Sequence, residues 1–479
     1  MKKNTLFKTL LLLVIFAGSV ACSDDDKKSG REAIEFAVTP ETIQFNAIGG
    51  NSIINIHVNG NDDWTIENST DWLTISETAG KGVGHAGLVV AANETTDERT
   101  ATITVTSGTE TRPVTIRQSG DTSTIIVYDI APDATNMSDM TSVQLTADMG
   151  TGWNLGNTLE AIGGETAWGN PMANRQLIDG VKAAGFNTIR IPVSWSNFSD
   201  EANFTINPTW INRVQQVVDY AIANDMYVIM NEHWDNGWMQ PTYAQQTYVN
   251  NRLAKMWKQI ATHFRDYDYH LIFAGSNEVM VTDNYGTPTA EYYTVQNSFN
   301  QTFITAVRTT GGRNAFRYLA VQGFNTNIDH TVNFAVIPED VTPTRLLMEV
   351  HFYDPFNFTL VDANTITQWG TNATDPASTE TWANEAYVDT QFQRMKTNFI
   401  DRGVGVILGE YGAISRTDVA GHEAFRTYWI EYVSTSARNY GLVPVWWDAG
   451  LPQNNHTMGL FDRNTGAVAH QNIVDAILP

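Results

Sequence analysis

From residue 31 to about 120, apolar and polar positions alternate in short runs such as Ile53-Ile54-Asn55-Ile56-His57-Val58 and Thr100-Ala101-Thr102-Ile103-Thr104-Val105, separated by Gly, Asn and Asp. A period of two puts one face inward and the other outward, so this segment predicts the short strands of an all-β, immunoglobulin-like sandwich. A linker with Pro, Asp and Thr follows over 121–137. Beyond it the pattern switches to short apolar runs that alternate with stretches of helical period.

Eight such runs can be counted: Gly152 to Gly156, Thr188 to Val193, Tyr227 to His233, Leu271 to Glu278, Tyr318 to Gln322, Arg345 to Tyr353, Gly405 to Glu410 and Leu442 to Asp448. Helical stretches fall between most of them, with clear cases at Trp210 to Asn224, Val249 to Arg265, Glu291 to Thr309, Glu385 to Arg402 and His422 to Ser436, and a last one at His470 to Leu478. Runs apolar throughout predict strands buried on both faces, and regular strand–helix alternation predicts parallel pairing. Residues 138–479 are therefore expected to form an α/β TIM (β/α)8 barrel, making the chain multidomain. No Gly-rich phosphate loop follows any run, which argues against a dinucleotide enzyme.

Composition changes this picture in two ways. With 52 acidic against 29 basic residues, net −23, the chain repels polyanions, so no nucleic acid partner is expected, whereas a neutral polymer meets no such barrier. The first residues stand apart: Lys2, Lys3 and Lys8 flank the apolar run Leu10 to Ala17, too short to span a bilayer, and predict a signal peptide over 1–21. Cys22, the only cysteine, excludes an internal disulfide. Its setting resembles the acylation site of a bacterial lipoprotein, although Ser19 stands where leucine is usual. Residues 22–30 are a polar tether, and its acidic stretch looks like the surface-export signal of Bacteroidetes lipoproteins. The expectation is a monomer anchored by lipid in the cell outer membrane and exposed on the surface.

Barrel chemistry is delivered from the carboxyl ends of the strands. Those ends carry Arg190, His233, Asn277-Glu278, His351 and Tyr353, Glu410, and Trp446-Trp447. Each has an innocent reading alone, but a buried polar group needs partners, and so many at one barrel end point to a site. Two carboxylates from different strands are the minimum apparatus for cleaving a glycosidic bond. There is no HExxH and the histidines do not cluster at ligand spacing, so no metal and no cofactor are expected.

Gly152-Trp153-Asn154-Leu155-Gly156-Asn157-Thr158, Ile189-Arg190-Ile191-Pro192-Val193, Asn277-Glu278, His351-Phe352-Tyr353 and Gly409-Glu410-Tyr411-Gly412 resemble glycoside hydrolase family 5. Asn231 to Trp238 and the Trp-Trp-Asp at 446–448 look most like its subfamily 4, the endo-β-1,4-glucanases and xyloglucanases. Trp234 and Val279 depart from the usual residues. Asp63-Trp64, Asp71-Trp72-Leu73, Arg99-Thr100-Ala101 and Val114 to Gly120 resemble the BACON domain over 31–120, expected here to be a spacer whose tryptophans fill its core. The family 5 resemblance implies a retaining, endo-acting β-1,4-glucan hydrolase with Glu278 as acid/base and Glu410 as nucleophile. It further implies that Glu278 stays protonated while Glu410 is held ionised by Arg190 and Tyr353. Asn277 would hold the sugar 2-hydroxyl, His233 and His351 would orient the sugar or the catalytic pair, and Trp447, rather than Trp446, would form the stacking floor. The expected partner is a β-glucan polysaccharide such as xyloglucan. A mannanase or mixed-linkage glucanase on the same barrel, and a non-catalytic surface glycan-binding protein, are the alternatives.

Overall fold

The computed structural model describes residues 36–479 apart from 46, 48, 60, 94, 96, 121–127, 234 and 364. The signal segment, Cys22, the tether and Trp234 lie outside the described residues.

The N-terminal unit is a two-sheet sandwich. Its strands are β1 Ala37–Thr39, β2 Thr42–Phe45, β3 Gly50–His57, β4 Asp63–Glu67, β5 Leu73–Ile75, β6 Ala79–Lys81, β7 Gly84–Val90, β8 Arg99–Ser107 and β9 Glu110–Gln118. One sheet runs β1-β3-β7-β5 and the other β2-β9-β8-β4-β6. Alternation puts Ile54, Ile56, Leu88, Ile103, Val105, Val114 and Ile116 in a dry seam between them, each worth roughly 1.5–3 kcal/mol of transfer free energy. Trp64 is buried in that seam, and Gly80 and Gly84 make room for it, since a β-carbon on either would stand 2.2 and 2.8 Å from its ring. Trp72 is half-buried, with the Arg99 guanidinium 4.4 Å from its ring centroid. Trp64 fills the core, whereas Trp72 packs against its edge.

The barrel closes from β10 Gly152–Leu155, β11 Thr188–Ile191, β12 Tyr227–Asn231, β13 Leu271–Ala274, β14 Leu319–Gln322, β15 Leu346–Phe352, β16 Gly405–Tyr411 and β17 Leu442–Asp448, all parallel and in sequence order. Every expected run holds a strand. Three end two or more residues earlier than expected, β11 at Ile191, β12 at Asn231 and β13 at Ala274, so His233 and Asn277-Glu278 stand on the loops just beyond the sheet.

Side chains fill the barrel in layers. At its floor, Ile229, Ile272, Ala320, Leu347, Ile407 and Val445 pack with Leu145 and Met149 of a helix over Ser142–Met149. That helix is too short to stand alone. Thr141 and Gln144 start it with reciprocal capping bonds, and the Gly405 N–H donates to Ser142 Oγ at 3.0 Å, fastening it under β16. One layer higher the inward positions turn polar, with Asn154, Arg190, Asn231, Gln322 and Glu349 all buried. The outer helices bury the opposite strand faces in a second, larger apolar cluster. The polar layer thus rests on a dry floor, and its charges can be satisfied only by one another.

Candidate active site

Arg190, projecting from β11, organises the polar layer. Its Nη1 donates to Glu410 Oε1 at 2.8 Å and to Asn154 Oδ1 at 3.0 Å, its Nη2 donates to Asn277 Oδ1 at 2.6 Å, and its Nε stands 2.8 Å from Glu349 Oε1. A planar fork with fixed donors suits this task, because it sets the direction of each partner as well as its charge. Glu410 receives a second donor on its other oxygen, the Tyr353 hydroxyl at 3.1 Å. Burial together with the Glu410 and Glu278 charges pushes the Tyr353 phenol well above its ordinary value, so it remains an O–H donor.

Glu278 lies at the rim, its side chain 35% exposed against 7% for Glu410. One of its oxygens is 2.7 Å from His351 Nδ1, and His351 Nδ1 is also 3.7 Å from Glu410 Oε2. Single oxygens of Glu278 and Glu410 lie within 4.8 Å of each other. Burial alone would lower the His351 pKa, but Glu410, with the bonds to Glu278 and Glu349, outweighs it and lifts the imidazole to about 9. Burial pushes the Glu410 carboxyl up, His351 and Arg190 pull it down, and Glu278 and Glu349 add to the rise. The net shift of Glu410 is upward, because desolvation and the neighbouring carboxylates outweigh the pull of its two cations. Glu278, His351 and Glu410 are close enough to hold a cation. Arg190 already supplies positive charge to Glu410, however, so this set suits proton transfer better than ligation.

His233 comes off the loop after β12. Its Nδ1 is 3.1 Å from Asn231 Nδ2, and its ring lies parallel to Trp447 at 5.8 Å between centroids. Burial, then the charges of Arg190 and His351, lower its pKa well below the ordinary value, so it is neutral. The two tryptophans separate: Trp446 is buried and donates its indole N–H to the Met458 carbonyl at 3.0 Å, whereas Trp447 is partly exposed beside His233. A cavity of about 330 Å³ opens beside Glu278, lined by His233, Gln240, Asn277, Asp283 and Tyr285 among others.

The structure thus brings together Glu278, Glu410, Arg190, Asn277, His351 and Tyr353, with His233 and Trp447 at their edge; Cys22 lies outside the described residues. Three residues of the site were given no role in the sequence reading. Asn154 ties Arg190 to β16 through its amide, which donates to the Gly409 carbonyl at 2.8 Å. Glu349 pairs with Arg190, and Gln322 donates to Glu349 Oε2 at 2.8 Å. A lone acid within the apolar run Leu346-Leu347-Met348-Glu349-Val350 was a signal of the same kind as Glu278.

An eight-stranded parallel barrel with two carboxylates at this spacing, one forked and buried and one half-open, defines a retaining glycosidase of the barrel class. The cellulase profile, glycosyl hydrolase family 5, matches residues 153–451, and the BACON profile, described as a putative N-terminal binding domain, matches 62–119. The chain belongs to glycosyl hydrolase family 5, carries a BACON domain ahead of its barrel, and is a glycoside hydrolase. It is 40% identical over 99% of its length to 96% of a xyloglucan-specific endo-β-1,4-glucanase of Bacteroides ovatus. Among solved structures it is similar to a Bacteroides ovatus family 5 xyloglucanase in complex with a XXXG heptasaccharide (TM-score 0.72, 40% identity, 93% of this chain and 99% of that one). It is also similar to a broad-specificity endoglucanase from Bacteroides salanitronis (TM-score 0.68, 38% identity, 73% of this chain and 97% of that one).

Proposed function

We propose that the protein cleaves xyloglucan internally by double displacement, with Glu410 as nucleophile and Glu278 as acid/base. The observation that carries this reading is the unequal setting of two carboxylates whose nearest oxygens lie within 4.8 Å. That spacing is close to the ~5–5.5 Å of retaining pairs and short of the ~6.5–9.5 Å that inverting pairs keep for a water. Glu410 has donors on both oxygens and little freedom, which suits a group that must meet the anomeric carbon at a set angle. Glu278 engages His351 through one oxygen and keeps the other for the cleft, which suits a group that must give a proton to the leaving oxygen and later take one from water.

In the first step a Glu410 oxygen bonds to the anomeric carbon as the glycosidic C–O bond breaks and Glu278 protonates the departing oxygen. In the second, Glu278 takes a proton from water, whose oxygen displaces Glu410, and the β configuration returns. Asn277 accepts from Arg190 through Oδ1, leaving its amide N–H groups for the sugar 2-hydroxyl, where a bond strengthens as positive charge develops at the anomeric carbon. Trp447 offers a partly exposed ring for the sugar to lie on.

The xyloglucan-specific relative that aligns along nearly the whole chain supports xyloglucan as the preferred polymer, while the broad-specificity relative favours activity on several β-glucans. Digestion of xyloglucan, carboxymethylcellulose, mixed-linkage glucan and mannan, with product lengths measured early in the reaction, decides between them. We expect xyloglucan to be cut fastest, into long fragments first. Faster cleavage of mannan, or release of short products only, would overturn this reading. The chain is further proposed to act as a monomer on the outer face of the outer membrane, tethered by an acylated Cys22. Cys22→Ala is expected to release it from the membrane fraction, and whole cells treated with protease are expected to lose it.

A further inference from the structure

Glu349 is linked to both members of the catalytic pair through one intermediate each, Arg190 and His351. It is fully buried within β15; Arg190 Nε is 2.8 Å and His351 Nε2 is 3.4 Å from its Oε1, and Gln322 donates to its Oε2 at 2.8 Å. The other nitrogens of Arg190 hold Glu410 and Asn277, and the other nitrogen of His351 holds Glu278. The backbone is shaped around this carboxylate. Between β15 and β16, Val350 pairs with Leu408 and His351 with Glu410, so Gly409 is skipped. A β-carbon on Gly409 would stand 2.1 Å from Glu349 Oε1. The bulge therefore seats Glu349 and turns the next residue, Glu410, into register with His351.

We infer that Glu349 is a positioning residue that sets both catalytic glutamates at once, aiming Glu410 through Arg190 and Glu278 through His351. A buried acid serving stability alone would need only to be neutralised, and Arg190 alone would do that. Glu349 instead joins two cations that end on different catalytic carboxylates. The titratable groups that act on it or feel its charge are Arg190 from β11, His351 from its own strand and Glu410 from β16. Burial would raise its pKa, but Arg190 and His351, with the Gln322 bond, hold it at about 2, so it is charged throughout the working range.

This inference rests on the roles proposed for Glu278 and Glu410, and its test separates the two. In Glu349→Gln the shape remains and one negative charge goes. With that charge absent, Arg190 and His351 pull harder on Glu410, and His351 loses an anion that favours its protonated form. Both limbs of the pH profile of kcat/KM should then move toward acid, by about half a unit or more. kcat on xyloglucan should fall about 10- to 100-fold, the usual cost of a misplacement near 1 Å, with KM little changed. Gly409→Ala crowds Glu349 without removing its charge, and should lower kcat while leaving the limbs nearer their wild-type positions. A structural role would lower the melting temperature without moving the limbs. Limbs that stay in place in Glu349→Gln, with kcat within about threefold of wild type, would overturn the inference while leaving the roles of Glu278 and Glu410 intact. Should Glu349→Gln fail to fold, wild-type kcat in Gly409→Ala would overturn it instead. Full activity in Glu410→Gln would remove the reading beneath it.

Discussion

Glu410→Gln is expected to lose at least about a thousandfold in kcat, equivalent to about 4 kcal/mol of barrier, while keeping its fold. The amide is nearly the same shape, its oxygen can still accept from Arg190, and Arg190 keeps Glu349 as a counter-charge, so no buried cation is stranded. What disappears is the anion able to bond to the anomeric carbon. Glu278→Ala should differ in kind. On the natural polymer it should also lose several orders of magnitude, but an aryl glycoside whose phenolate leaves unaided needs no acid, so its first step should survive and only the second should stall. Azide then tells the two roles apart. With Glu278→Ala it should displace Glu410 from the glycosyl-enzyme and give a β-azide, the configuration of the substrate. With Glu410→Ala it should attack the substrate directly from the face left open and give an α-azide. Near wild-type hydrolysis by either variant, or the two azide outcomes exchanged, would end the assignment.

The barrel strands were legible in the sequence because each is buried on both faces, by the dry floor inside and the helices outside, and a strand with no polar face reads as an unbroken apolar run. Their ends were less so. Asn277 and Glu278 continue the run Leu271 to Ala274 in sequence, yet they leave the sheet, because Asn277 is drawn toward the Arg190 fork and Glu278 toward His351. The helix over Ser142–Met149 went unnoticed for a related reason: its eight residues have a weak period of their own and are held by the barrel floor, not by local preference. Residues at strand ends could be singled out by rule. Glu349 was visible as a lone acid in an apolar run but lies within β15, where a rule about strand ends passes over it, and what distinguishes a site residue there from a structural acid is the identity of partners on β11 and β14. The bulge at Gly409 is one step further from view, since the need for glycine comes from the side chain of the neighbouring strand.

Those cross-strand partners make Arg190→Leu the substitution with the widest expected effect. Removing one member of a buried ion network leaves the others uncompensated, and the usual cost is about 3–5 kcal/mol. Here Glu349 would remain with no cation other than His351, at full burial, and Asn154 and Asn277 would each lose their donor from Arg190. The cost should depend on pH in a defined direction. In the wild type the folded-state pKa of Glu349 is depressed to about 2, so its pairing contributes fully above the unfolded value of about 4.3 and is lost as pH falls toward 2. In Arg190→Leu the main cause of that depression is gone and burial acts with less opposition, so the variant should be most destabilised at neutral pH. The gap in melting temperature between wild type and variant should therefore narrow on going from pH 7 to pH 3. Activity should vanish with the fork, since Glu410 loses its aim and Asn277 its anchor, and lowering the pH should not restore it even where stability returns. A gap that is constant with pH would mean that Arg190 contributes packing alone, and that the polar layer over the barrel floor is not the charge-balanced unit its geometry describes.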